Sequence, residues 1–125
     1  GVQIGTRFAL TEESSASPVF KDYCLSLGEG DTKLLLKKLA PTRLVKNAFR
    51  EAVEKAEDSG ASAEDLRTLL GRGRAKKGIF EGDLEEGELE IGQVSAIISR
   101  RQSVAEVMNE LVAAYQRAAK KDYLF

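Results

Sequence analysis

Apolar residues recur along this chain with two different periods, and a change of period marks an expected change of element. At the start, Val2, Ile4 and Thr6 alternate with Gln3, Gly5 and Arg7, the two-residue repeat of a strand, so a short strand is predicted over residues 1–8. Ser17 followed by Pro18 reads as a helix start. The serine hydroxyl can cap the first N–H groups, and proline at the first helical position gives up an N–H that would have had no partner. That helix is predicted to run to about Leu27, where Gly28 and Gly30 stop it. Asp31 to Leu36 reads as a brief extended segment before Pro41. With Thr42 as cap, Leu44, Val45, Ala48, Phe49, Ala52, Val53 and Ala56 fall at helical spacing and predict a helix through Glu57.

Ser62-Ala63-Glu64-Asp65 has the form of a capping box with Asp in the place of Glu, and Leu66, Leu69 and Leu70 follow on one face. Gly71 and Gly73 interrupt the pattern before Ala75 to Phe80 resumes it, which predicts two short helices or one strained one. Gly82-Asp83 and Glu86-Gly87 bracket an acidic loop, and Ile91 to Ile98 is a compact apolar segment. Ser103 and Glu106 make a capping box of the usual form. Val107, Met108, Leu111, Val112 and Tyr115 then mark one face of a helix to about Lys121, with Lys120 and Lys121 suited to the negative end of its dipole. The sum is one strand and five or six helices. A lone strand leaves its N–H and C=O groups without partners, so residues 1–8 are expected to need a pairing strand that this chain hardly offers.

Composition narrows the function classes. A chain of 125 residues, 42% hydrophobic, is long enough for one real core and too short for two ordinary domains. Nineteen basic against twenty acidic residues leave a formal charge of -1, so no global field draws it to nucleic acid or anionic lipid. A single cysteine, Cys24, makes no internal disulfide, and no apolar run approaches the roughly 20 residues that span a bilayer. The expectation is a cytoplasmic protein without a membrane partner. The absence of His removes the commonest general base and metal ligand, and one Cys among scattered carboxylates gives no metal-site spacing. Catalysis would have to use acids, lysines, tyrosines or a borrowed cofactor. The opening Gly1-Val2-Gln3-Ile4 has no initiator Met and no signal-peptide form, and reads as the interior of a longer chain.

Three segments could carry chemistry. Gly5-Thr6-Arg7 offers a glycine, free N–H groups and a hydroxyl that could hold a phosphate, or it is a plain strand-to-loop turn. Arg72, Arg74, Lys76 and Lys77 could meet an anion, but Glu81, Asp83, Glu85, Glu86, Glu88 and Glu90 follow at once and cancel the charge, as on a solvated face. In the third, Gly78 to Asp83 with Glu90 to Gln93, glycine allows close backbone packing, and Gln93 could bond a ligand or satisfy backbone groups. Cys24, among Tyr23, Leu25 and Leu27, reads as an inert buried thiol.

Taken in order, Val2 to Phe8, Glu12-Glu13-Ser14 to Lys21, Asp31-Thr32, Arg43 to Asn47, and Glu81-Gly82-Asp83 with Gly92-Gln93 resemble the C-terminal third of the nitronate monooxygenases. Within that family the likeness points to the flavin-dependent enoyl-acyl-carrier-protein reductases of bacterial fatty-acid synthesis. The resemblance implies an α/β parent, an FMN-binding (β/α)8 TIM barrel, of which this mostly α-helical chain supplies the eighth strand and the C-terminal helices. It implies that Gly5 and Thr6 bind the FMN phosphate and that Gly92 and Gln93 lie near the flavin. It divides the chain into the last β/α unit (1–30), a helical lid-like insertion (31–87) and C-terminal helices packing back on the barrel (88–125). The implied reaction is reduction of an enoyl thioester, on acyl carrier protein or coenzyme A, by NAD(P)H through FMN, in a homodimer. Oxidation of alkyl nitronates with dioxygen is the related alternative, and a non-catalytic, self-associating helical module is the alternative for the chain by itself. The family's catalytic His and most flavin contacts come from earlier strands, so no catalytic residue is expected here. Where the family commonly has His before the proline of the first helix, this chain has Ser17.

Overall fold

Leu44 and Val45 are neighbours in sequence, and both are fully buried, in different cores. A strand achieves this, because successive side chains point to opposite faces. In the computed structural model, which describes residues 1–120, they lie in β2 (Thr42–Val45). It pairs antiparallel with β1 (Thr32–Leu35) in the register Thr32 to Val45 and Leu35 to Thr42. The segment Glu88 to Ile91 adds itself to the other edge of β2: Val45 N–H donates to Leu89 O at 3.0 Å, and Leu44 bridges Glu90.

One core gathers Leu10, Phe20, Cys24, Leu27, Val45, Leu89, Ile91 and Ile98, and joins the segment from Leu10 to Leu27 to that from Leu89 to Ile98. The other gathers Leu35, Leu36, Leu44, Phe49, Val53 and Leu66 beneath the two middle helices. Leu36 enters its core with φ of 56°, a left-handed backbone rare for leucine. Its N–H is held by the Glu57 carboxylate at 2.8 Å.

Local capping sets most helix starts. In α1 (Thr6–Ala9) no side chain caps the first turn. Ser17 caps α2 (Pro18–Leu25) by accepting from Phe20 N–H at 3.2 Å. Asn47 caps α3 (Ala48–Asp58) by accepting from Arg50 N–H at 2.8 Å. Ser62 with Asp65, and Ser103 with Glu106, form the two expected capping boxes at α4 (Ala63–Leu70) and α5 (Val104–Ala119). The expected extension of the last helix to Lys121 lies outside the described residues. After Gly71 and Gly73, both at positive φ, the chain forms one wide π-helical turn, Lys76–Phe80. There Gly78 packs so closely on Gly87 that a Cβ on it would stand 2.9 Å from the Gly87 Cα. Gln93–Ile97 forms a short 3-10 helix.

Two sequence expectations are corrected. Residues 1–8 form no strand: Gly1 to Gly5 pair with no ladder among the described residues, and Thr6–Ala9 is already helical. Alternation alone does not make a strand where no second strand takes up its hydrogen bonds. The helix expected from Thr42 begins only after Asn47, because Leu44 and Val45 gain both cores and the β1 ladder as a strand, and the Thr42 hydroxyl donates to Ala40 O instead of capping. The extended segment expected over Asp31 to Leu36 is the strand β1.

Candidate functional site

The four residues singled out for cofactor binding are Gly5, Thr6, Gly92 and Gln93, and the fold brings two of them into contact. Gly92 N–H donates to Thr6 Oγ1 at 2.9 Å, across 86 residues of sequence. The approach depends on glycine: a Cβ on Gly92 would collide with that hydroxyl oxygen. Gly5 is next to Thr6, and its carbonyl accepts from Phe8 N–H at 3.1 Å and Ala9 N–H at 3.0 Å, which turns the chain into α1. Gln93, next to Gly92, lines a neighbouring cleft of about 580 Å³ together with Gly28, Gly30, Thr32, Val94 and Ile97.

The donor set at Gly5 to Arg7 suits an anion. The N–H groups of Gly5, Thr6 and Arg7 donate to no other described residue. The Thr6 hydroxyl, which accepts from Gly92, keeps its own proton to give. Phosphate oxygens are acceptors only, and successive free N–H groups with a hydroxyl are what they require. These residues therefore fit a phosphate group. Gln3, Ile4, Gly5, Thr6, Arg7 and Val94 line a cleft of about 500 Å³ there.

On the other side of Thr6 lies a cleft of about 360 Å³, walled by Thr6, Gly92, Pro41, Thr42, Arg43 and Glu90. Glu90 belongs to the third candidate segment, but sequence assigned it no role of its own. The alternation of Glu88 and Glu90 with Leu89 and Ile91 is the pattern of the strand-like edge on which it sits. Beside it Glu88 is buried, and burial first, then the hydrogen bond and charge of Glu90, hold its carboxyl up to about 7, against a smaller pull from Arg74.

The remaining candidates are structural. Arg74 donates to Leu70 O at 2.8 Å, Leu69 O at 3.1 Å and Glu86 O at 2.7 Å, and stacks over the Phe49 ring 4.5 Å from its centre. Lys76 and Lys77 pair with Glu81 and Asp83. The basic cluster thus spends most of its charge within the protein. Cys24 is fully buried, and burial pushes its thiol up to about 12, far from a nucleophile's range. Lys21 is buried too, its ammonium donating to Glu12 O at 3.1 Å and Ser14 O at 2.6 Å, and burial followed by Arg101 lowers its pKa. It clamps the loop before α2.

No helix among the described residues is long and apolar enough to cross a membrane. The family model described as nitronate monooxygenase matches residues 1–114, and the chain belongs to that family. A probable nitronate monooxygenase of Bacillus subtilis is 31% identical over 112 residues, which make up 89% of this chain and 32% of that protein. The structure of FabK from Thermotoga maritima superposes with a TM-score of 0.79 at 27% identity, over 96% of this chain and 38% of that one. A mutant form of FabK from the same organism superposes with a TM-score of 0.77 at 23% identity, over 96% and 35%, which is a likeness of fold. The chain thus spans about a third of the length of the relatives it matches.

Proposed function

We propose that this chain is the C-terminal part of an FMN-dependent (β/α)8 oxidoreductase that reduces the double bond of an enoyl thioester with NAD(P)H. Gly5 and Thr6 hold the FMN phosphate, with Gly92 and Gln93 toward the flavin. The observation that carries the reading is the hydrogen bond from Gly92 to Thr6, which joins two segments that the family resemblance separately assigns to the cofactor. FMN, when bound, supplies the hydride chemistry. This chain's own part is to offer the N–H groups of Gly5 to Arg7 and the Thr6 hydroxyl to the phosphate, and Gly92 keeps that hydroxyl oriented. The general acid or base of the reaction comes from outside these residues. The division into a last β/α unit (1–30), a lid-like insertion (31–87) and C-terminal helices (88–125) belongs to the same proposal, as do cytoplasmic location, homodimer formation and acyl carrier protein or coenzyme A as thioester carrier.

The structural likeness to FabK at 27% identity favours the enoyl thioester. The 31% identity to a probable nitronate monooxygenase favours a second reading, oxidation of alkyl nitronates with dioxygen on the same flavin. The intact protein, supplied with NADPH and either a crotonyl thioester or an alkyl nitronate, separates the two. Thioester-dependent NADPH oxidation is expected, and turnover of the nitronate alone overturns the first reading.

A further inference from the structure

We propose that Glu110, on α5, is a positioning residue for the phosphate-binding turn, acting through Arg7. This rests on the reading of Gly5 to Arg7 given above and names the part that holds the turn in place. Arg7 supplies the third backbone N–H of the donor set, so whatever fixes Arg7 fixes the orientation of that set. α1 is a single turn without a side-chain cap. The Gly92 bond holds Thr6 from one side and the burial of Leu10 holds the end of the turn, while the Arg7 side chain is held by Glu110.

The place of Glu110 is determined from several directions. The start of α5 is fixed by the Ser103 and Glu106 capping box and by the Glu13 carboxylate, which accepts from Val104 N–H at 2.9 Å. Just before it, Gln102 is buried, and its carbonyl accepts from Glu12 N–H at 3.0 Å. With that register set, the Glu110 carboxylate takes three donors. Oε1 accepts from the Gln102 amide at 2.6 Å and from Arg100 at 3.1 Å, and Oε2 accepts from Arg7 at 2.7 Å.

The carboxylate itself is half exposed, and an isolated ion pair at such a site would be weak. Here one partner is the buried Gln102 amide, whose backbone is tied to Glu12 in the turn after α1, so the carboxylate is already held when Arg7 meets it, and the entropy of ordering two free side chains is largely avoided. The same pairing turns the Arg7 guanidinium toward α5. Arg7 therefore serves the anion through its backbone, while its side chain acts as an anchor.

The test measures dissociation constants for FMN and for riboflavin, which lacks the phosphate, by flavin fluorescence on the intact protein. Variants are Glu110→Gln, Glu110→Ala, Arg7→Ala and the double Arg7→Ala/Glu110→Ala. FMN is expected to bind tighter than riboflavin to the unaltered protein. Either Glu110 variant should weaken FMN about threefold to fivefold, the range open to an ion pair of this exposure, and leave riboflavin unchanged. The double variant should match Arg7→Ala alone. Glu110→Gln keeps the size and an acceptor for Gln102, so a folded variant is available, with melting temperature as control. An unchanged FMN-to-riboflavin ratio, equal weakening of both flavins, or tighter FMN binding through a released Arg7 side chain overturns the proposal. If the unaltered protein binds the two flavins equally, the phosphate assignment itself fails.

Discussion

Replacing Gly92 by alanine probes the contact on which the site is built, and its cost can be worked out from the geometry. The backbone there, φ -72° and ψ 154°, is one that alanine adopts freely, so no strain arises in the chain itself. The new Cβ would collide with Thr6 Oγ1 and stand 3.4 Å from Thr6 Cβ. Thr6 must rotate away, giving up the 2.9 Å hydrogen bond from Gly92 N–H. The lost bond costs about 0.5–1.5 kcal/mol, and displacement of the side chain from its rotamer costs about the same again. Reduced freedom of the unfolded chain offsets about 0.4–1 kcal/mol. The net expectation is a loss of about 1–2 kcal/mol, read in urea unfolding followed by circular dichroism. In a Thr6→Ala background the obstacle is gone, and Gly92→Ala should be neutral or slightly stabilising. An equal cost in both backgrounds would refute the reasoning, since the penalty would then come from somewhere other than Thr6.

Other outcomes follow from buried groups. Because Glu88 is held up to about 7 against an ordinary 4.5, the folded protein keeps a proton there that the unfolded chain has released; stability should therefore fall as pH rises through that window. Unfolding midpoints measured from pH 4.5 to 7.5 check this, and Glu88→Gln should flatten the profile; an unchanged slope in that variant contradicts it. Cys24 should resist thiol reagents in the native protein and react at once in denaturant, because burial and its raised pKa both suppress the thiolate. Lys21→Met keeps the buried stem but leaves Glu12 O and Ser14 O without their donor. It should cost about 1–3 kcal/mol by thermal unfolding, and a cost near zero would mean that water replaces the ammonium.

What sequence could and could not reveal divides along the range of the forces involved. The caps at Ser17, Ser62 and Ser103 were legible because each is closed by a residue three positions on. Over Thr42 to Val45 the apolar residues also fit a helical face, and the partners that decide for a strand lie in β1 and in Leu89, 44 residues from Val45. Val2 to Thr6 alternates like a strand, yet strand formation depends on a partner the pattern cannot name. For the site the limit was the same. Nothing in spacing tells that Thr6 and Gly92 touch, and only the family resemblance put both in one place. Gln93 opens the 3-10 turn that follows Gly92 and lines the cleft with Gly28 and Gly30, a placement that no local pattern announced.

The reading as a flavoprotein meets its most direct test in the cofactor itself. The intact protein, incubated with FMN and passed through gel filtration, should elute with flavin absorbance at one FMN per chain, with Thr6→Val reducing that occupancy. A protein that elutes colourless after saturation with FMN would contradict the account.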